Sequence, residues 1–250
     1  MASNAPIHTL VTAGPTREKI DAVRDWGNIF SGQTGLDLAL SFLQLGNVTL
    51  LTSNGEHARE FDGYSGKGGM LGVETFKSHS DLRQLLEERM TNGDRVDVVA
   101  MTAAVAVYRP EGVYRIVSRR EDSGQETWVV ERIGGKGEGK FKSATDEVAV
   151  LGERTEKLVD MFRSKWEFKG VLIKFKLEVG LTDAELLSVA GASRVASAAD
   201  LMVANTLEMA RPADASKAGA YLIDDKGSMR VARAQLAGTV VDWAARRLKH

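Results

Sequence analysis

The chain has no cysteine, only four prolines and only four histidines among its 250 residues. The lack of cysteine excludes disulfides, thiol nucleophiles and thiolate metal sites. The histidines, His8, His57, His79 and His250, fall in no metal-ligand spacing such as HxxxH, and none accompanies a Gly-x-Ser-x-Gly elbow. This disfavours zinc hydrolysis and Ser-His-Asp catalysis. Positioning and charge stabilisation, rather than a protein nucleophile, are the expected source of any catalysis. No apolar run approaches the roughly 18–20 residues of a membrane helix. The start, Met1-Ala-Ser-Asn-Ala-Pro6, lacks a charged segment leading into an apolar core, so it does not read as a secretory signal. Charge of one sign is also missing: 33 Lys and Arg face 34 Asp and Glu. With no global basic field and no acidic tail, neither nucleic acid nor a membrane is an expected partner. A soluble cytoplasmic protein is predicted.

Hydrophobic residues make up 43% of the chain, enough for a substantial core. Apolar runs predict strands at Thr9–Thr12, Val48–Thr52, Val96–Met101, Val171–Lys176, Leu201–Ala204 and Tyr221–Ile223. Helical periodicity predicts helices at Leu36–Leu45, Ser80–Met90, Glu156–Lys165, Asp183–Val189 and Arg230–Leu248. This alternation predicts an α/β fold, a Rossmann-like, doubly wound and mainly parallel sheet with ligands at the strands' carboxyl ends. The middle breaks the rhythm. Gly112–Ser118 and Thr127–Ile133 read as two strands around the polar turn Glu121–Gln125, and Pro110–Lys142 is expected to form an antiparallel arm. One domain over residues 1–250 is expected.

The most informative stretch is Val11-Thr-Ala-Gly-Pro-Thr16, followed by Val23-Arg24, Asn28 and Ser31-Gly32-Gln-Thr-Gly35. A strand stops at a Gly-Pro-Thr turn, and a second glycine-marked turn opens a helix. Both turns can aim backbone N–H groups, hydroxyls and a helix N-terminus at phosphate. Arg24 and Asn28 can reach a substrate bound there. Gly134-Gly-Lys-Gly-Glu-Gly-Lys140 matches the first seven positions of GxxxxGK[ST], but Phe141 stands where magnesium needs Ser or Thr. A flexible loop offering Lys136, Lys140 and Lys142 to a phosphate, or an ordinary solvated loop, fits better. Small residues after the Val96–Met101 strand, from Thr102 to Ala106, allow either a close ligand or tight packing. Phe175 can stack on a base or fill the core. Asn205 ends a strand where a site would lie, but it is also a common turn residue.

Taken in order, these segments resemble the phosphopantothenate–cysteine ligase family of coenzyme A biosynthesis. Its pattern T-A-G-x-T-R-E-x-I-D-x-V-R-x-x-x-N-x-S-S-G is matched by Thr12–Glu18, Ile20-Asp21, Val23-Arg24, Asn28, Ser31-Gly32 and Gly35. A-A-V-A-D-Y is matched by Ala103–Ala106 and Tyr108, K-I-K by Lys140-Phe-Lys142, F-K-L-E by Phe175–Glu178, and D-x-x-V-A-N by Asp200–Asn205. The resemblance implies a homodimeric ligase that joins 4′-phosphopantothenate to L-cysteine through an acyl-nucleotide, releasing pyrophosphate. CTP or ATP would be the co-substrate and Mg²⁺ would offset the triphosphate charge.

By the same resemblance, Asn28 would bind the pantothenate part and its activated acyl group, with Arg24 supporting it. Gly14, Thr16, Ser31, Gly32 and Gly35 would line the phosphate site, and Ala103 and Ala104 would present backbone groups to the ligand. Lys140 would stabilise the α-phosphate, with Lys142 nearby. Phe175 would contact the base, Asn205 would lie near the nucleotide, and the arm would carry the dimer contact. Metal ligands in the protein are not assigned.

The chain departs from the pattern at Val107, where an aspartate is usual, and at Gln33, where a lysine is usual. The arm is also longer than expected. These departures keep open a non-catalytic nucleotide-binding protein of the same fold. An NAD(P) oxidoreductase is a weaker alternative, because neither G-x-x-x-G-x-G nor G-x-G-x-x-G follows the first strand and no Tyr-x-x-x-Lys pair is present. The first strand starts within ten residues of Met1. An N-terminal flavin-dependent decarboxylase domain, present in many bacterial members, is therefore not expected.

Overall fold

The structure is a computed structural model that describes residues 6–93, 95–135, 139–140, 146–210 and 218–249. Strand β1 (Ile7–Ala13) runs into a small hairpin of β2 (Arg17–Lys19) and β3 (Asp25–Gly27). Helix α1 (Gln33–Phe42), strand β4 (Gly46–Thr52) and helix α2 (Gly55–Phe61) follow. Then come β5 (Tyr64–Ser65), β6 (Met70–Thr75), α3 (His79–Thr91) and β7 (Val98–Met101). Strands β8 (Tyr108–Asp122), β9 (Gln125–Gly134) and β10 (Val148–Arg154) form their own antiparallel sheet in the order β10-β8-β9. The chain continues through α4 (Leu158–Ser164), β11 (Val171–Glu178), α5 (Asp183–Ala196), β12 (Leu201–Thr206) and the short α6 (Leu207–Ala210). It ends with β13 (Gly219–Ile223), β14 (Ser228–Ala232), a 3-10 turn (Arg233–Gln235) and α7 (Leu236–Arg247).

Among the described residues the main sheet has nine strands in the order β14-β13-β12-β11-β7-β1-β4-β6-β5. The six strands from β12 to β6 are parallel, and the outer strands on both sides pair antiparallel. Numbered by their place in the chain, the parallel strands run 3-2-1-4-5-6. This Rossmann-like order reverses between β1 and β7 and opens a crevice at their carboxyl ends.

Alternate residues of each central strand feed opposite layers, and both layers are apolar. Val11, Leu50, Ala100 and Ile173 pack with α1 and α7, whereas Leu10, Leu51, Val99 and Leu172 pack with α3 and α4. A strand covered on both faces needs an unbroken apolar run, which is why these segments were legible as strands. Capping boxes start α3 (Ser78 with Asp81) and α5 (Thr182 with Glu185), satisfying backbone donors at each helix entry. Among the described residues, no helix is long and apolar enough to cross a membrane.

Two expectations are corrected. The helix expected over Arg230–Leu248 begins only at Leu236, because Arg230 lies in β14. There the Asp224 carboxylate accepts the N–H groups of Lys226 and Gly227, closing a tight turn that sends Ser228–Ala232 back along β13. The arm expected over Pro110–Lys142 has a third strand, Val148–Arg154, which pairs with Tyr108–Arg115 outside that range. Lys136 and Lys142 lie outside the described residues.

Candidate active site

The carboxyl ends of β1, β7, β11 and β12 surround a cavity of about 500 Å³. Its floor is built by glycines. Gly14 follows β1 with φ of 81°, and a Cβ there would fall 2.3 Å from Ser53 Oγ. Gly32 has φ of 85°, and a Cβ on it would lie 2.8 Å from the Gly14 nitrogen. The positive φ favours glycine at both positions, and at Gly32 the Gly14 backbone leaves no room for a side chain. At Gly35 a Cβ would meet Ala13 Cβ at 2.5 Å and Thr102 Oγ1 at 2.6 Å. The first turn of α1 is thereby seated directly on the ends of β1 and β7.

Gly32 provides no side-chain cap, and the first turn of α1 carries no acidic residue. The Gln33 N–H makes only a long contact of 3.4 Å to Ser31 Oγ. The Gly35 and Leu36 N–H groups are spent on the Gly32 carbonyl at 3.0 and 3.2 Å, so the turn offers the cavity the weakly engaged Gln33 N–H and the positive end of the helix dipole. Behind it, the Asn54 carboxamide donates to the Ser31 carbonyl at 3.3 Å, while its oxygen caps α2 by accepting the Glu56 N–H. Asn54 also meets His57 Nε2 at 3.2 Å, and the other ring nitrogen of His57 meets Thr52 Oγ1 at 3.0 Å. Burial holds the His57 pKa below its ordinary value, against the opposing influence of Glu60, Asp37 and Glu56.

Asn28 approaches from the other side. The β2–β3 hairpin that carries it is fastened by buried carboxylates: Glu18 accepts the His79 N–H at 2.7 Å, and Asp21 accepts the N–H groups of Val23 and Arg24. From that base Asn28 Nδ2 donates to the Ala104 carbonyl at 3.1 Å. On the far side β11 and β12 contribute Phe175, Lys176 and Asn205. Phe175 is half-buried, lining the cavity while also packing on the core.

Nine expected site residues line this one cavity: Gly14, Asn28, Ser31, Gly32, Gly35, Ala103, Ala104, Phe175 and Asn205. Others stand elsewhere. Thr16, expected beside phosphate, is fully buried, and its hydroxyl accepts the Ala106 N–H at 2.8 Å. It shapes the loop after β7 from behind instead of lining the cavity. Ala103 and Ala104 offer surface and not free N–H donors, because Thr12 Oγ1 accepts one N–H and the Gly14 carbonyl accepts the other. Arg24 pairs with Asp21 at 2.9 Å, which stabilises the hairpin turn. Lys140 is exposed and outside the lining, while the neighbouring Gly139 carbonyl accepts the Ala22 N–H at 2.8 Å and brings this segment beside the same hairpin.

Sequence reading missed Phe30, Lys176 and Arg233 as lining residues. Arg233 was hidden inside the over-long terminal helix. The alternation of Met229 and Val231 behind the Asp224–Gly227 turn was the available signal for a strand ahead of it.

A helix N-terminus at the strand-order reversal of a parallel sheet, beside a crevice at the strands' carboxyl ends, defines a Rossmann-like protein. Residues 5–131 match the DNA/pantothenate metabolism flavoprotein C-terminal domain, and the chain belongs to this family. It is 31% identical over 201 residues to the Coenzyme A biosynthesis bifunctional protein CoaBC of Thermococcus kodakarensis, covering 80% of this chain and 41% of that protein. The CoaBC protein of Bacillus subtilis is 34% identical over 160 residues, 63% of this chain and 34% of that one. The chain thus spans well under half the length of these relatives.

Solved structures share the fold. The DNA/pantothenate metabolism flavoprotein from Streptococcus pneumoniae superposes with a TM-score of 0.72 at 22% identity, over 98% of this chain and all of that one. A Cab2 variant in complex with phosphopantothenate-cysteine superposes with a TM-score of 0.63 at 14% identity, over 97% of this chain and 86% of that one.

Proposed function

We propose that this chain is a phosphopantothenate–cysteine ligase. The carboxylate of 4′-phosphopantothenate attacks the α-phosphorus of CTP or ATP, expelling pyrophosphate and forming an acyl-nucleotide. The amine of L-cysteine then attacks the acyl carbon, loses a proton and displaces the nucleoside monophosphate, leaving an amide. The substrate supplies the nucleophile in the first step and cysteine in the second. This agrees with a sequence that has no cysteine and no serine-histidine elbow.

One observation carries the reading. A single cavity has Asn28 at one end, Phe175 and Asn205 at the other, and the first turn of α1 between them. Its volume, about 500 Å³, lies in the range of small-molecule sites. Two anionic substrates can meet there over the helix N-terminus, with the acyl group near the Asn28 carboxamide and the base near Phe175. Lys140 serves as the charge-stabilising residue for the α-phosphate. Mg²⁺ offsets triphosphate charge when bound. Among the described residues no cluster of three or more His, Asp or Glu could cage a metal. The neutral oxygens of Ser31, Thr34 and Asn205 fit a cation delivered on the polyphosphate with its waters.

The reading extends to a cytoplasmic homodimer joined through the β8–β9–β10 arm. Exposed Val117, Trp128, Val129 and Val130 on that sheet support this contact. The decisive experiment is pyrophosphate release with phosphopantothenate, cysteine and Mg²⁺, run separately with CTP and ATP. Release that requires the acid supports the ligase. Saturable nucleotide binding without release under any condition points instead to a non-catalytic nucleotide-binding protein.

A further inference from the structure

Only two cationic side chains line the cavity among the described residues, Lys176 and Arg233. Lys176 is engaged, with Nζ 2.7 Å from Glu178 Oε1. Arg233 is not. Its Nη2 lies 3.7 Å from Asp37 Oδ2, close enough for attraction but beyond hydrogen-bond distance. The other oxygen of Asp37 accepts a hydrogen bond from Gln33 Nε2 at 2.8 Å, and Gln33 is the first residue of α1 and also lines the cavity. Asp37 therefore links the guanidinium to the first turn of α1.

Arg233 is held by its backbone rather than its head group. Its N–H donates to the Ala218 carbonyl at 3.0 Å, which fixes the 3-10 turn between β14 and α7. Its neighbours in the lining are Ala220 and Leu236, so it stands on the β12–β13 side with Asn205, away from Asn28. A planar guanidinium fork, paired only loosely with Asp37 and set beside the first turn of α1, suits the paired oxygens of a phosphate chain.

We infer that Arg233 is the specificity-determining cation for the polyphosphate of the nucleoside triphosphate, held ready by Asp37. The inference rests on the ligase reading for the identity of the anion. Arg233 grips the nucleotide's phosphate chain and not the phosphomonoester of the acid, because it shares the half of the cavity that carries Phe175 and Asn205. Asp37 competes with the phosphates for the guanidinium, so its charge sets how tightly the nucleotide is held.

The test compares R233A, R233K and D37N with the unaltered chain. KM values for nucleotide and for phosphopantothenate are measured separately by pyrophosphate release, and binding of Mg²⁺–CTP and Mg²⁺–ATP is measured directly by titration calorimetry. R233A raises the nucleotide KM and Kd by about tenfold or more, the scale of one lost charge-assisted hydrogen bond, and leaves the acid KM unchanged. R233K recovers part of the loss because an ammonium lacks the fork. D37N moves both nucleotide constants the opposite way, which a structural role for Arg233 would not produce. An unchanged nucleotide Kd in R233A, or a rise confined to the acid KM, overturns the inference. Absence of pyrophosphate release from the unaltered chain, with nucleotide Kd still weakened by R233A, rejects the ligase reading and keeps Arg233. If the unaltered chain binds no nucleotide, both fall.

Discussion

Asn28 Nδ2 donates its hydrogen bond to the main-chain oxygen of Ala104, 3.1 Å away across 76 residues of sequence. This bond ties the β2–β3 hairpin to the loop after β7, and among the described residues it leaves the Asn28 carboxamide oxygen without a hydrogen-bond donor. The side chain is thus held in one orientation at the cavity wall.

Asn28→Asp is correspondingly severe. A carboxylate oxygen would face the Ala104 carbonyl oxygen, replacing attraction with repulsion. Turnover falls about a hundredfold or more, the scale of losing one preorganised donor, in a pyrophosphate-release assay with the fold checked by circular dichroism. A rate near that of the unaltered chain would remove Asn28 from the acyl site.

Lys140→Gln removes a charge without changing the side-chain length greatly. If Lys140 stabilises the α-phosphate, turnover drops about a hundredfold or more while nucleotide Kd changes little, because the interaction matters most in the transition state. A Kd that weakens in step with the rate would make Lys140 an ordinary binding cation.

Lys174 gives a stability prediction. It projects from β11 into the layer under α5, where Nζ donates to Ser197 Oγ at 2.6 Å and Ser193 Oγ at 2.9 Å. Burial first, and then the nearby Lys157, lower its pKa from 10.5 to about 8. The unfolded chain holds this proton more tightly than the folded chain. Charged Lys174 therefore costs stability below pH 8, and the cost fades as pH rises from about 8 toward 10.5. Lys174→Met raises Tm at pH 7, by about 2–4 °C for each kcal/mol relieved, and the advantage shrinks as pH rises from about 8 toward 10.5. Differential scanning fluorimetry across pH reads both effects, and a gain that does not vary with pH argues for packing alone.

His57 works in the acid range. Its lowered pKa means that the unfolded chain takes up a proton near pH 6.5 while the folded chain still refuses it. Stability is whole above that pH and declines as pH falls below it. Protonation would also set an N–H of His57 against the Asn54 amide, freeing the group that holds Ser31. Tm of the unaltered chain falls more steeply between pH 7 and 5.5 than that of His57→Gln. Parallel profiles would show that His57 does not sense pH.

The strands were legible because each central one is covered on both faces, so burial demands an apolar run whatever its neighbours are. The runs from Leu10 to Ala13 and from Val171 to Ile173 carry that demand openly. The glycine turns were legible for a related reason. Gly14 and Gly32 take a positive φ, and at Gly35 a side chain would collide with Ala13 and Thr102. These local requirements determined the fold class and most of the cavity floor.

Partnerships between distant segments were decided only by the tertiary structure. Thr16 turns inward to Ala106, and the N–H groups of Ala103 and Ala104 are spent on Thr12 and Gly14. Arg233 reaches the cavity because a tight turn at Asp224 makes a strand out of residues that also fit a helical period. Local spacing records which residues are apolar or free to bend. Which polar group meets which depends on the crossovers that bring β1, β7 and β12 side by side, and no short stretch of chain contains that information.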